Sequence, residues 1–214
     1  MIENNKFKYK IENKRYHTWN YYLRQKFGTK VFKVSINAGF TCPNIDGSIS
    51  YGGCAYCSKD GSGDFAGNPR DNLVKQFKEI KEIMEKKWPQ AKYIGYFQAF
   101  TNTYAPLEVL KEKYETILDQ EGVIGLSIST RPDCIDDHIL DYLDDLNKRT
   151  NLWVELGLQT VHDKTSNIIN RGHGLDIFID CVNRLRSRGI EVVAHVINGL
   201  PGESHDMMME TISR

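Results

Sequence analysis

Short runs of β-branched and aromatic residues alternate along the chain with apolar residues at helical spacing, a pattern that predicts βα units and a parallel sheet. Val31 to Ile36 is the first expected strand. Beyond a glycine-broken stretch, Leu73, Phe77, Ile80, Met84 and Trp88 share one helical face from about Asp71, and Pro89 ends that helix. Tyr93 to Gln98 is the second strand. Pro106 opens a helix where a missing amide does no harm, with Leu107, Leu110, Tyr114 and Ile117 on its apolar side. Val123 to Ser129 follows as the third strand, and its helix carries Ile135, Ile139, Leu143 and Leu146. Leu152 to Leu158, a helix over Leu175 to Arg188, and Glu191 to Ile197 complete five units.

Ser204 is placed to cap a further helix bearing Met208 and Ile212, and the sequence ends inside it at Arg214. The expected architecture is therefore a TIM-like α/β barrel truncated after its fifth strand. An unpaired parallel edge favours aggregation, so such a chain is expected to be less soluble than a complete barrel.

With 214 residues, 40% of them hydrophobic and 26% charged, the chain can bury one sizeable core. No apolar stretch reaches the ~18 residues of a membrane span, and the polar start from Met1 to Lys14 lacks the apolar region of a signal peptide. The expectation is a cytoplasmic protein that does not engage a membrane. Formal net charge is zero, but residues 1–33 hold nine Lys or Arg against two acidic residues. This basic stretch interleaves with Tyr16, His17, Trp19, Tyr21 and Tyr22, so residues 1–30 form a basic aromatic extension before a core of residues 31–214. Two uses fit: approach to a nucleic-acid backbone with base stacking, or a solvated helix whose aromatic side packs on the barrel.

Five cysteines are present, and three of them, Cys42, Cys54 and Cys57, fall in the loop after the first strand at C-x11-C-x2-C spacing. Clustering of this kind points to metal or catalysis rather than to a disulfide framework. Three thiolates around a four-iron cube would leave one iron open to an outside ligand. The competing reading is a zinc site completed by a histidine such as His17. Cys181 shares a helical face with Phe178 and Leu185 and reads as a core residue. Cys134 follows the third strand, where a catalytic or second-cluster role competes with inert burial.

In a barrel of βα units, reactive groups gather where strands end. Gln98, Thr101, Asn102 and Thr103 follow the second strand; Ser129, Thr130 and Arg131 the third; Glu155, Gly157 and Gln159 lie on the fourth; His195 and Asn198 on or after the fifth. Strand alternation puts Glu155 and Gln159 on one face with Gly157 between them, which leaves room for a ligand at that level.

The segments Gly39-Phe40-Thr41-Cys42-Pro43-Asn44, Gly52-Gly53-Cys54-Ala55-Tyr56-Cys57, Tyr96-Phe97-Gln98-Ala99-Phe100-Thr101-Asn102-Thr103-Tyr104, Ser129-Thr130-Arg131-Pro132-Asp133-Cys134, Glu155-Leu156-Gly157-Leu158-Gln159-Thr160, Asn170-Arg171-Gly172-His173 and Gly199-Leu200-Pro201-Gly202-Glu203 carry a resemblance to radical S-adenosylmethionine (SAM) enzymes, in the branch with an elongator-type radical domain. Here the first cysteine gap is x11 where that family usually has x3. The resemblance implies a partial (β/α)6 barrel, a 4Fe-4S cluster on Cys42, Cys54 and Cys57, and SAM as the ligand of the open iron. It implies Tyr56 against adenine, Gln98 in place of the family's Gly-Gly-Glu stretch, and Ser129, Glu155 and Gln159 along the cofactor. It further implies Arg171 on a carboxylate, His195 at the ribose, and Ile197, Asn198 and Gly199 along adenine. The implied partner is a one-electron reductant of the flavodoxin or ferredoxin type. Substrate expectations are a tRNA base such as a wobble uridine, or a small molecule, peptide or tetrapyrrole. From another class stands a noncatalytic zinc-containing RNA-binding module.

Overall fold

The computed structural model describes residues 14–214, so the part of the basic extension before Lys14 lies outside the described residues. Five parallel strands pair in sequence order: β1 (Val31–Ile36), β2 (Lys92–Phe97), β3 (Val123–Thr130), β4 (Asn151–Gln159) and β5 (Glu191–Val196). Helices α2 (Leu73–Lys87), α3 (Leu107–Leu118), α4 (Asp137–Arg149) and α6 (Leu175–Ser187) connect them, with α1 (Trp19–Phe27) before the sheet and α7 (His205–Ser213) after it. The expected strands and long helices are present within a residue or two of their anticipated ends. The periodicity does not reveal α5 (Asp163–Ile168), whose six residues are too few to show a helical repeat, or the single 3-10 turn Pro132–Cys134.

Local chemistry sets the helix boundaries. Asn72 accepts from the Lys75 amide at 2.8 Å, Asp136 from Ile139 at 2.8 Å, and Ser204 from Met207 at 3.3 Å, each satisfying an amide that the first turn leaves unpaired. Gly28, at φ 68°, ends α1 in the left-handed conformation that favours glycine. Among the described residues no helix is long and apolar enough to cross a membrane.

One sheet face packs on the helices through Val34, Ile36, Phe97, Leu126, Ile128, Val154 and Leu156, all nearly inaccessible, against Phe77, Leu110, Tyr114, Leu143 and Leu185. Cys181 lies in this core, as its helical position implies. On the other face, Val31, Ile94 and Trp153 form a second, smaller core covered by Trp19, Tyr22 and Phe27 of α1. Trp19 meets Trp153 edge-on at 5.4 Å, and Lys26 sits 4.9 Å above the Trp153 ring. Glu191 at the start of β5 gathers Tyr22 Oη (2.6 Å), Lys26 Nζ (2.7 Å) and Trp153 Nε1 (2.8 Å). The described part of the basic extension thus packs through α1 on this face of the sheet. Burial of large aromatic surfaces favours this packing over solvent-facing rings.

Candidate functional site

Two residues further along the strands from that second core, the same face turns polar. Lys33 follows Val31, Glu155 follows Trp153, and His195 follows Val193, as the two-residue side-chain period of a strand requires. Glu155 is 2% exposed. One of its oxygens takes both Lys33 Nζ and Ser127 Oγ, and the other lies 2.6 Å from His195 Nε2. Burial opposes its charge, but the His195 contact and the Lys33 ammonium prevail and hold the carboxyl down at about 2. Lys33 also lies 4.2 Å above the Tyr96 ring and 5.1 Å from the Trp19 ring, so α1 helps to fix it.

Above this layer opens a cavity of about 250 Å³ at the carboxyl ends of the strands. Its wall includes all three clustered cysteines, together with Tyr56, Gln98, Ser129, Glu155, Gln159, His195 and Ile197. Ten of the residues expected at the site therefore meet around one space. Gly61 and Ser62 of the glycine-containing loop line it too, beside Phe100. A Cβ on Gly61 would enter the Phe100 ring, so the small residue is needed for this close approach.

The cysteine loop is held from below by the turn after α5. Asn44 Nδ2 donates to the Asn170 carbonyl (2.7 Å), the Arg171 carbonyl (3.0 Å) and Cys54 Sγ (3.3 Å), and Asn170 Nδ2 donates to Gly53 O (2.8 Å). The Ala55 amide donates to Ile169 O at 2.9 Å. A hydrogen bond from the Cys57 thiol draws Cys54 down to about 6, and the shared proton raises Cys57. Among the described residues no three His, Cys, Asp or Glu side chains converge on the position of a single ion. In a cluster each thiolate binds a different iron, so three sulfurs share one wall without meeting on a single ion. Three sulfurs on one cavity wall, one of them already accepting an amide hydrogen bond, fit a cluster.

Arg171 and Cys134 depart from expectation. The Arg171 guanidinium is 1% exposed and donates to the backbone carbonyls of Leu158, Thr160 and His173, so it braces the chain after β4 rather than gripping a ligand carboxylate. It does not line the cavity. The left-handed conformation of Gln159, at φ 57°, turns the chain out of β4 and presents those carbonyls to it. The guanidinium that does line the cavity belongs to Arg131, bound through Nη2 to Asp133 at 2.7 Å and through Nη1 to Arg171 O at 2.7 Å. Cys134 lines a separate groove with Pro43, Ile49 and Thr103, away from the cavity lined by the three clustered cysteines, and burial pushes its thiol up to about 12. Asn198 and Gly199 lie exposed in the turn beyond β5, off the cavity wall. The sequence reading also passed over His173, which lines the cavity with its ring Nδ1 3.2 Å from Gly174 O. Arg131 and His173 both fall inside motifs quoted above, and only their surroundings distinguish them from the residues chosen.

Residues 49–214 match the model of the Radical SAM superfamily. The chain is 58% identical over 211 residues to the protein YtqA of Bacillus subtilis (strain 168), covering 99% of this chain and 66% of YtqA, so it spans just under two thirds of that relative. Over 85 residues it is 33% identical to the tRNA uridine(34) acetyltransferase of Methanocaldococcus infernus, which covers 39% of this chain and 15% of that protein. The solved structure of the archaeal Elp3 of Methanocaldococcus infernus superposes with a TM-score of 0.57 at 18% identity, over 86% of this chain and 41% of that one, a likeness of fold.

Proposed function

Because this chain belongs to the radical SAM superfamily, we propose that it is an enzyme that holds a 4Fe-4S cluster on Cys42, Cys54 and Cys57 and binds SAM in the adjoining cavity. The observation that carries this reading is the gathering of three thiols on the wall of a cavity floored by the buried Glu155 and its half-exposed partner His195. When bound, cluster and SAM together supply reductive cleavage of the sulfonium to methionine and a 5′-deoxyadenosyl radical. The chain's own residues hold and shield the reactants. Tyr56 offers an aromatic face at the cavity wall; Gln98, Ser129 and Gln159 offer neutral polar groups; Ile197 offers an apolar edge. Arg131 brings a cation to the same wall, suited to a carboxylate. The electron is proposed to come from a flavodoxin- or ferredoxin-type donor.

For substrate, the similarity to a tRNA uridine(34) acetyltransferase favours a tRNA base. A second reading, a small molecule or tetrapyrrole, is favoured by the packing of Trp19 and Tyr22 against the barrel, which removes those rings from base stacking.

Anaerobic reconstitution of the protein, reduction with dithionite in the presence of SAM, and assay of 5′-deoxyadenosine test the proposal. Iron, sulfide and 5′-deoxyadenosine are expected from the native chain and no 5′-deoxyadenosine from Cys54→Ala. Stoichiometric zinc without labile sulfide, or full turnover by Cys54→Ala, would overturn it. A tRNA substrate predicts RNA binding that weakens steeply with salt and a nucleoside missing from the tRNA of a deletion strain.

A further inference from the structure

Asn44 is fully buried, two positions beyond the first cysteine, and is not itself a thiolate ligand. Its amide nitrogen faces three acceptors: Asn170 O, Arg171 O and Cys54 Sγ. Two carbonyls among them dictate that the nitrogen, and not the oxygen, points this way, since a reversed amide would set oxygen against oxygen. Two hydrogens serve three acceptors, so one is shared with the sulfur. The price of this orientation is visible on the other side, where Asn44 Oδ1 is buried without a hydrogen-bond partner among the described residues. A Cβ on Gly172 would lie 2.7 Å from that oxygen, so glycine is required for the amide to sit there. Pinning the loop does not by itself require a donor at the sulfur, because Asn170 already pins it through Gly53 O.

We propose that Asn44 is a positioning residue that raises the reduction potential of the cluster by donating an amide hydrogen bond to the Cys54 sulfur. This rests on the cluster reading above. Donation to a ligating sulfur withdraws electron density and stabilises the more negative, reduced cluster, one of the main means by which a protein tunes an iron–sulfur potential.

The test is an anaerobic redox titration of the reconstituted protein, followed by electron paramagnetic resonance of the reduced cluster, on the native chain, Asn44→Ala and Asn170→Ala. Asn44→Ala is expected to move the midpoint to more negative potential, with about a tenfold smaller reduced-to-oxidised ratio at the native midpoint (~59 mV for a one-electron couple). Asn170→Ala removes a clamp on the same loop without touching a sulfur and is expected to leave the midpoint in place. Equal midpoints for the native chain and Asn44→Ala, with iron and sulfide bound in both, overturn this inference and leave the cluster reading standing. A native chain that takes up no iron and sulfide overturns both. If Asn44→Ala does not fold, native protein labelled with 15N-asparagine serves instead: pulsed electron paramagnetic resonance of the reduced cluster is expected to show a weakly coupled asparagine nitrogen. Absence of that coupling overturns the proposal.

Discussion

His195 Nε2 stands 2.6 Å from Glu155 Oε2, and this contact ties β5, the last strand of the sheet, to a carboxylate buried on β4. The second Glu155 oxygen takes Lys33 from β1 and Ser127 from β3. A single side chain thus joins four of the five strands beneath the cavity, and its ionisation is a property of the fold as much as of the site.

The first consequence concerns acid stability. Glu155 titrates at about 2 in the folded chain against an ordinary 4.5. Between those values the unfolded chain binds the extra proton, so stability rises with pH there. The contribution is fully present above pH 4.5 and is lost as pH falls through about 2; a shift of this size corresponds to about 3 kcal/mol. Urea unfolding across this range should show the loss in the native chain and a flatter profile in Glu155→Gln.

Lys33→Met should destabilise the protein by about 3 kcal/mol, because it removes one partner of a buried ion pair and leaves the carboxylate under-compensated. Adding Glu155→Gln to Lys33→Met should cost less than the two single losses combined, since both changes abolish one shared interaction. Denaturant midpoints of the two single variants and the double variant measure this coupling. Strict additivity would show that the pair contributes nothing.

At the aromatic plug, Trp153 and Trp19 should respond differently. Trp153 is 1% exposed and touches Trp19, Phe27 and Lys26, so Trp153→Ala should cost about 3–5 kcal/mol. Trp19 Nε1 is buried without a partner among the described residues. Trp19→Phe removes that unsatisfied donor while keeping a ring, and its thermal midpoint should stay close to native.

Arg171→Lys should behave as a stability variant. The guanidinium serves carbonyls on Leu158, Thr160 and His173 at once, a span that an ammonium on a single stem does not cover. Loss of about 2 kcal/mol is expected from the carbonyls left unpaired. Calorimetry should record it with SAM affinity per folded molecule unchanged.

Gly157→Ala should do the reverse. A Cβ there meets the Gln159 side-chain amide, and both residues line the cavity, so the amide must swing into the space a ligand would use. SAM binding measured by equilibrium dialysis should weaken about tenfold or more, while the midpoint of unfolding moves little.

Much of this molecule is local in origin and was legible along the chain. The strands and long helices follow from side-chain period, the last helix start from Ser204, and the clustering of Cys42, Cys54 and Cys57 in the loop after β1 from their spacing. Strand alternation alone placed Glu155, Gly157 and Gln159 on one face. Tertiary structure decided what depends on partners distant in sequence. Which guanidinium faces the cavity is one such matter: Arg131 and Arg171 carry the same group, and the carbonyls exposed by the turn at Gln159 engage Arg171 and leave Arg131 on the wall. The fate of Trp19 and Tyr22 is another, since amphipathic aromatic residues serve a nucleic acid or a protein core equally well until Trp153 is brought against them. Residue type and spacing set what each group is able to do, and long-range packing in low dielectric selects, among groups of equal chemistry, the ones left free to do it.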